Sequence, residues 1–403
     1  MLQLYEDDLI TLSDDGIGKL EPSFDSELFN DAAKMVYDKG GFSASMLADP
    51  RAKKVLSETA KNINSAIETS VPHEVPDTLR YALENNGFIF SGFKTFHALR
   101  EVGLSMLDEK GNVKPYADFQ KDVQQINDNY NTNWLSAEYK HALGASLMAV
   151  KWNDLKQDSD RYFLQYRTAQ DSRVRPDHAA LDGITLPAAD PFWDKYYPPN
   201  GWGCRCQAVQ VRRSKYQSSD PKASMRLGDN ATDTLKQRMF RYNAGKDMKL
   251  FPPKHPYYKV PETAKNVINN SAREELGKQL QKDLTSWYKN NLPETKVGKF
   301  TAKRFEVAPQ GEDKKVVINK TFYNEVINKH KEDELYQMLL IKAKQAHRLL
   351  PLASLVRTEQ PNSLHPDAVF KVYTYEDSDY RYEFKVKSNH DADILYIMRI
   401  YKK

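Results

Sequence analysis

Two cysteines are the entire thiol content of this 403-residue chain, and they stand two apart, Cys204 and Cys206, at the end of Pro-Pro-Asn-Gly-Trp-Gly-Cys-Arg-Cys. In an extended segment alternate side chains share a face, so a Cys-x-Cys pair puts both sulfurs on one side. Two thiolates placed in this way could supply two ligands to Zn²⁺, with His178 and either Asp171 or Asp182 as further donors. Closed zinc sites more often space their cysteines by roughly two to four residues, and a buried thiol also packs as a small apolar group. The spacing is not the Cys-x-x-Cys of thiol–disulfide exchange. Zinc, a pair of structural thiols and redox chemistry are the three readings of this pair.

A second cluster lies upstream. Asp171, Arg173 and Arg175 alternate, which on an extended segment brings three charges to one side. The arginines could pair with Asp182 or Asp190, or meet a phosphate; a network of internal ion pairs shaping a loop-rich region is the plainer reading. His178 could be a structural histidine, a metal ligand or a base. No Gly-x-x-x-x-Gly-Lys-Ser/Thr, Gly-x-Gly-x-x-Gly, His-Glu-x-x-His or Gly-x-Ser-x-Gly occurs, so this region carries none of the common nucleotide-binding or hydrolase motifs.

Taken in order, Tyr166, Thr168, Asp171, Arg173, Arg175, Pro176, His178, Leu181-Asp182-Gly183, Pro198-Pro199, Gly201 and Cys204-Arg205-Cys206 resemble the signature of the phage Mu protein F-like family. These are minor head or head-morphogenesis proteins of tailed phages. The resemblance extends over about residues 95–211 and includes the preceding run NTNWLSAEYKHA. It implies a virion protein, assembled in the host cytoplasm, with portal and major head proteins as partners and no enzymatic role for the head module. A polymorphic toxin or effector using the module only as a carrier is the alternative.

The elements that must position these residues are legible from periodicity. The first half reads helical: Ser26 to Tyr37 before Lys39-Gly40-Gly41, Ala52 to Ile67, and a new element from Val75-Pro76. From Pro115 to Lys151, Phe119, Val123, Ile126, Tyr130, Trp134, Tyr139, Leu143, Leu147 and Val150 form one apolar stripe, predicting a long helix or a kinked pair. YFLQYR and AVQVRR predict strands on either side of the loop-rich signature. No apolar run approaches the ~18 residues of a membrane span. The acidic start lacks the basic and apolar regions of a secretory leader, and two cysteines make no disulfide framework, so a reducing compartment is expected.

Charge divides the chain. Residues 212–300 carry 19 Lys/Arg against 9 Asp/Glu, whereas residues 1–211 carry 22 against 31. The basic segment suggests DNA as an anionic partner, or else a solvated lysine-rich linker. Beyond it, KKVVI, a helical stretch from Phe322 to Leu350, a hairpin around Glu376-Asp377-Ser378-Asp379 and the strand DILYIMRIYK predict a small α+β domain.

That layout weakly resembles barnase/EndoU/colicin/RelE-like nucleases. The resemblance implies a metal-independent ribonuclease or toxin acting on RNA. Candidate catalytic residues on or beside the predicted sheet are His365, Lys371, Lys385, His390 and Arg399, since such cleavage needs a base, an acid and cations for the phosphorane. The same alternation of lysine and tyrosine also suits a solvated sheet face.

The expected organisation is α+β: a helical N-terminal region (1–94), a loop-rich mixed α/β head module (95–211), a basic linker with short helices (212–298) and a C-terminal α+β domain with an antiparallel sheet (299–403).

Overall fold

The computed structural model describes residues 21–72, 75–155, 160–297, 299–328, 331, 335–360, 368–388 and 392–403. The chain divides into two compact units, the first ending at Asn270 and the second running from Ser271 to Lys403. Sequence texture put the change near Gly298, a position outside the described residues. The division falls inside one continuous helix, Glu262–Asn291, whose even polarity gives no local sign of it.

The first unit begins with helices α1 (Ser26–Asp38), α2 (Pro50–Ser70) and α3 (Asp77–Ser105). Asp25 and Asp49 cap the first two, their carboxylates accepting from Glu27 N (2.9 Å) and Arg51 N (3.0 Å), which satisfies amide donors that a helix start leaves unpaired. Helix α2 packs against α1, α3 and the later helix α5 (Leu135–Leu155). The apolar stripe from Pro115 resolves into α4 (Tyr116–Asn127), a π-helical turn (Asp128–Trp134) and α5. The buried face continues out of the π turn through Trp134, Leu135, Glu138 and Tyr139. Leu147, placed on the stripe by spacing, is exposed. Helices α3 and α5 are joined at depth by Lys94 and Glu138, a fully buried hydrogen-bonded ion pair. Removing Glu138 would leave the Lys94 charge buried without this partner, a costly change.

Three antiparallel strands follow, β1 (Tyr162–Arg167), β2 (Thr185–Leu186) and β3 (Gln207–Arg212), in the order β2-β1-β3. They pair Leu164 with Leu186 and Phe163 with Val211. Between β1 and β3 the chain makes the excursion that holds the signature, including two short helices, α6 (Pro176–Ala179) and α7 (Phe192–Tyr196). The stretch beyond β3, read as a linker, is tied into this unit as far as Tyr258. Helix α8 (Pro221–Ala231) packs on α7 and α10 (Ala244–Asp247) on α5, with the short α9 (Leu235–Arg238) between them in the chain. Asn243 caps α10 and donates to Trp193 O (3.1 Å). Phe251 stacks on Phe90 with ring centroids 3.7 Å apart. Helix α11 (Glu262–Asn291) then leads out of the unit.

The second unit is a seven-stranded sheet in the order β4-β5-β6-β10-β9-β8-β7. Its strands are β4 (Glu294–Val297), β5 (Phe300–Val307), β6 (Val316–Asn319), β7 (Ser354–Glu359), β8 (Val369–Glu376), β9 (Tyr380–Ser388) and β10 (Asp393–Lys402). All neighbours are antiparallel except β6 and β10. Helices α12 (Lys320–Asn328) and α13 (Tyr336–Ala343) pack on β10, and the core includes Tyr373, Tyr382, Phe384, Leu395, Met398 and Ile400. The β8–β9 turn forms where sequence placed it, with Asp377 Oδ1 accepting from Asp379 N and Tyr380 N (2.9 and 2.8 Å). The hairpin β4–β5 and the edge strand β7 were not foreseen. The chain is α+β, as the order of elements implied. Among the described residues no helix is long and apolar enough to cross a membrane.

Two outcomes follow from the packing of the first unit. A Cβ on Gly228 would run into the Tyr196 ring, so Gly228→Ala is expected to cost about 1–3 kcal/mol, read as a lowered denaturation midpoint. His141 is buried, its Nε2 3.0 Å from Tyr242 Oη, and burial pushes its pKa down to about 4. The unfolded chain takes up this proton near the ordinary value of about 6.5. Stability is therefore complete above that value and is lost as pH falls toward 4. His141→Phe should reduce the slope of unfolding free energy against pH in this window by about one proton; chemical denaturation at several pH values measures it, and an unchanged slope would place the proton uptake elsewhere.

Candidate metal centre

The excursion between β1 and β3 has almost no sheet of its own, and side chains hold its shape. Leaving β1, the chain turns at Gln170 (φ 55°). Asp182 Oδ1 gathers this exit by accepting from Thr168 N (2.7 Å) and Thr168 Oγ1 (3.0 Å). At the Leu181-Asp182-Gly183 turn, Gly183 has φ +82°, a conformation in which a side chain would be strained. Its N–H donates to Tyr166 O (2.9 Å), and Tyr166 N donates to Ile184 O (2.8 Å). The turn thereby delivers the chain into β2.

Asp171 closes the excursion from its other end. Both of its oxygens accept from the Arg205 guanidinium, at 2.7 and 2.6 Å. This fork, helped by Arg173, holds the Asp171 carboxyl well below the usual carboxylate range. Residues 171–174 form a turn, with Val174 N donating to Asp171 O (3.1 Å). The expectation of three charges along one extended face therefore does not hold. Asp171 takes Arg205 and Arg173, whereas Arg175 Nη2 donates to Trp202 O (2.6 Å). Asp190 caps α7 through Phe192 N (2.9 Å).

His178 lies on α6, started by Pro176, and is buried. The structure sets Cys204 Sγ 3.6 Å and Cys206 Sγ 3.7 Å from its Nδ1. One donor atom from each of the three residues lies within 4.8 Å of the others. Asp171 and Asp182, named with them as candidate ligands, are engaged with Arg205 and Thr168 instead. Both cysteines are free thiols. The hydrogen bond from Cys206, followed by the influence of His178, favours the Cys204 thiolate and holds its pKa well below the usual thiol value, while the same sharing and burial push Cys206 up. Tyr166, fully buried on β1, donates from Oη to Asn200 Oδ1 (3.0 Å) beneath the sulfurs. Two soft sulfurs and an imidazole nitrogen are a donor set suited to zinc. Sequence reading placed Tyr166 and Arg205 in the signature but missed Arg205 as the partner of Asp171, and Tyr166 and Asn200 as supports.

The described C-terminal candidates, Lys371, Lys385 and Arg399, do not share one such cluster. His365 and His390 lie outside the described residues. Lys371 pairs with Glu312 (2.9 Å) and is in register with Val386, on the helix-covered side. Lys385 pairs with Glu359 (2.6 Å) and sits over the Phe370 ring. It is in register with Val372, on the opposite side of the sheet from Lys371. Arg399 is exposed and in register with Glu383, on the same side as Lys385.

Comparison with known proteins bears on the first unit. Residues 112–209 match the family model described as Phage Mu protein F like protein. The chain is 30% identical over 166 residues to the Mu-like prophage FluMu F protein of Haemophilus influenzae, covering 38% of this chain and 37% of that protein. It is 40% identical over 70 residues to the "Putative capsid assembly protein F" of Escherichia phage Mu, covering 17% of this chain and 16% of that protein. The chain thus spans well under half the length of either relative in these matches. No solved structure matches it. The matched residues run from the approach to α4, through the π turn and α5, to the start of β3, and enclose every signature residue from Tyr166 to Cys206. Residues 112–209 are thus similar to the phage Mu protein F-like family, and the likeness takes in the whole signature from Tyr166 to Cys206.

Proposed function

We propose that the chain is a head morphogenesis protein of a tailed phage or prophage, a minor capsid component docking on portal and major head proteins. The observation that carries this reading is the family match over a region whose loops are fixed by dedicated side-chain bonds. A relative sharing part of that region is named for capsid assembly. The architecture suits docking: Gln170, Asp171, Arg173 and Asp177 present polar groups on the outside of the excursion, while the bonds beneath fix their positions. DNA contact by the basic segment rests on charge alone, and several of its cations already hold carboxylates, including Arg241 with Asp229 and Lys246 with Asp194. In the phage or prophage that encodes it, the chain is expected in purified heads by immunoblot, and loss of its gene should abolish infectious particles. Infectious heads of normal yield lacking the chain would overturn the proposal.

A second reading concerns the C-terminal unit, as a metal-independent ribonuclease. The observation favouring it is a row of acid and base groups on one side of β7, β9 and β10. Arg357 Nε reaches Glu359 Oε1 (2.9 Å), its Nη1 reaches Glu383 Oε2 (3.3 Å), and Lys385 Nζ reaches Glu359 Oε2 (2.6 Å). A carboxylate among fixed cations supplies a base for the 2′-hydroxyl and charge for the phosphorane. Purified full-length chain, incubated with bulk RNA in excess chelator, should release fragments ending in cyclic phosphate. Glu359→Gln should slow this by about 10²-fold or more. Intact RNA in the presence of folded wild-type chain would sink the reading. The carrier alternative, a toxin borne by the head module, predicts cleavage together with absence of the chain from heads.

A further inference from the structure

The sulfurs of Cys204 and Cys206 lie 3.6 and 3.7 Å from the same nitrogen, His178 Nδ1. Hydrogen bonding alone does not explain this. One ring nitrogen has a single site in the ring plane, so it can face one sulfur in line and not two. Two nearly equal distances are what a central ion requires. In a tetrahedral site with zinc–sulfur bonds of about 2.3 Å and zinc–nitrogen bonds of about 2.0 Å, sulfur and nitrogen ligands stand about 3.6 Å apart. The two sulfur–nitrogen distances match the edges of such a tetrahedron, and all three donor atoms lie within 4.8 Å of one another.

The surroundings are built for the same purpose. His178 is held on α6, whose residue Asp177 accepts from Gln237 (3.2 Å). Cys204 N donates to Gly201 O (3.2 Å), and β3 begins directly after Cys206. The Tyr166 hydroxyl donates to Asn200 Oδ1 (3.0 Å) and so fixes the loop just before the cysteines, the kind of outer contact that orients ligands. Neither sulfur is committed to a disulfide. Two thiolates balance a divalent charge, and sulfur with imidazole selects zinc over magnesium or calcium.

We propose that His178 Nδ1, Cys204 Sγ and Cys206 Sγ bind one Zn²⁺, with water in the fourth position. The ion staples α6 to the entrance of β3, and so the beginning of the excursion to its end. This inference is independent of the assembly role, and its failure would leave that role standing.

The test uses the full-length chain purified under reducing conditions from zinc-supplemented culture. Elemental analysis should find one zinc per chain, as a single site demands. Exchange for Co²⁺ should give visible bands of a tetrahedral centre together with near-ultraviolet thiolate-to-cobalt charge transfer. Removing the metal should lower the thermal midpoint and expose both thiols to a thiol reagent. Cys204→Ser, Cys206→Ser and His178→Ala should each lose the metal. Because these variants could also misfold, the deciding measurement is on the wild-type chain. A folded wild-type chain with two reduced thiols that takes up neither zinc nor cobalt overturns the proposal. So does cobalt binding without thiolate charge transfer, or recovery of the two cysteines as a disulfide.

Discussion

Residues 168–206 leave the sheet from β1 and come back beside it as β3, and Tyr166 is where both ends are held. Its backbone carbonyl receives Gly183 N and its backbone N–H donates to Ile184. Its hydroxyl reaches down to Asn200, in the Pro-Pro-Asn-Gly approach to the cysteines. One residue therefore fixes the early turn through its main chain and the late loop through its side chain. A buried tyrosine is suited to this, because the ring supplies apolar area while the O–H must find a partner. That link ties the early turn directly to the loop that carries the sulfurs, and so helps fix their spacing from His178.

The helices under the sheet supply rigidity of another kind. Phe90, Phe251, His255, Tyr257 and Trp202 interlock face to face and edge to face, and His141 joins them through Trp202 and Phe240. Trp202 belongs to the Pro-Pro-Asn-Gly-Trp-Gly run itself. The loop leading to the cysteines is thus anchored in the helical core by one large side chain, while Arg175 holds its carbonyl from the opposite side of the excursion. The neutral state of the buried histidines is part of this packing, since burial disfavours the charged ring.

Much of this was legible in the sequence, for identifiable reasons. The strands β1, β3, β8, β9 and β10 announced themselves by alternation, and the β8–β9 turn by its run of acidic residues. Long-range partnerships were not legible. Nothing local in Asp171-x-Arg173-x-Arg175 reveals that Asp171 binds Arg205, thirty-four positions on, because alternation predicts a shared face only if the segment is extended, and this one turns. The π turn left no trace, because the apolar steps across it, Ile126 to Tyr130 to Trp134, are of ordinary helical size. Strand β7, exposed along most of its length, lacks the alternation that a half-buried strand shows. The Lys371 and Lys385 pair shows the limit from another side. Both sit on a hairpin of lysines and tyrosines, but the register of β8 on β9 puts them on opposite faces, and register is a property of the pair that neither strand states alone.

The Cys-Arg-Cys tripeptide joins these threads. In an extended approach to β3, the first and third side chains point one way and the second points the other. The cysteines turn inward to His178, and Arg205 turns outward to the Asp171 carboxylate with both arms of its guanidinium. The two contacts bind different parts of the same excursion, α6 on one side and the turn before it on the other. A lysine could carry the charge of Arg205 but could not make the two-pronged contact that fixes the orientation of the segment. The residue between the cysteines is therefore as much a part of the site as its ligands. It sets which way the sulfurs face, and so whether they can meet one nitrogen together.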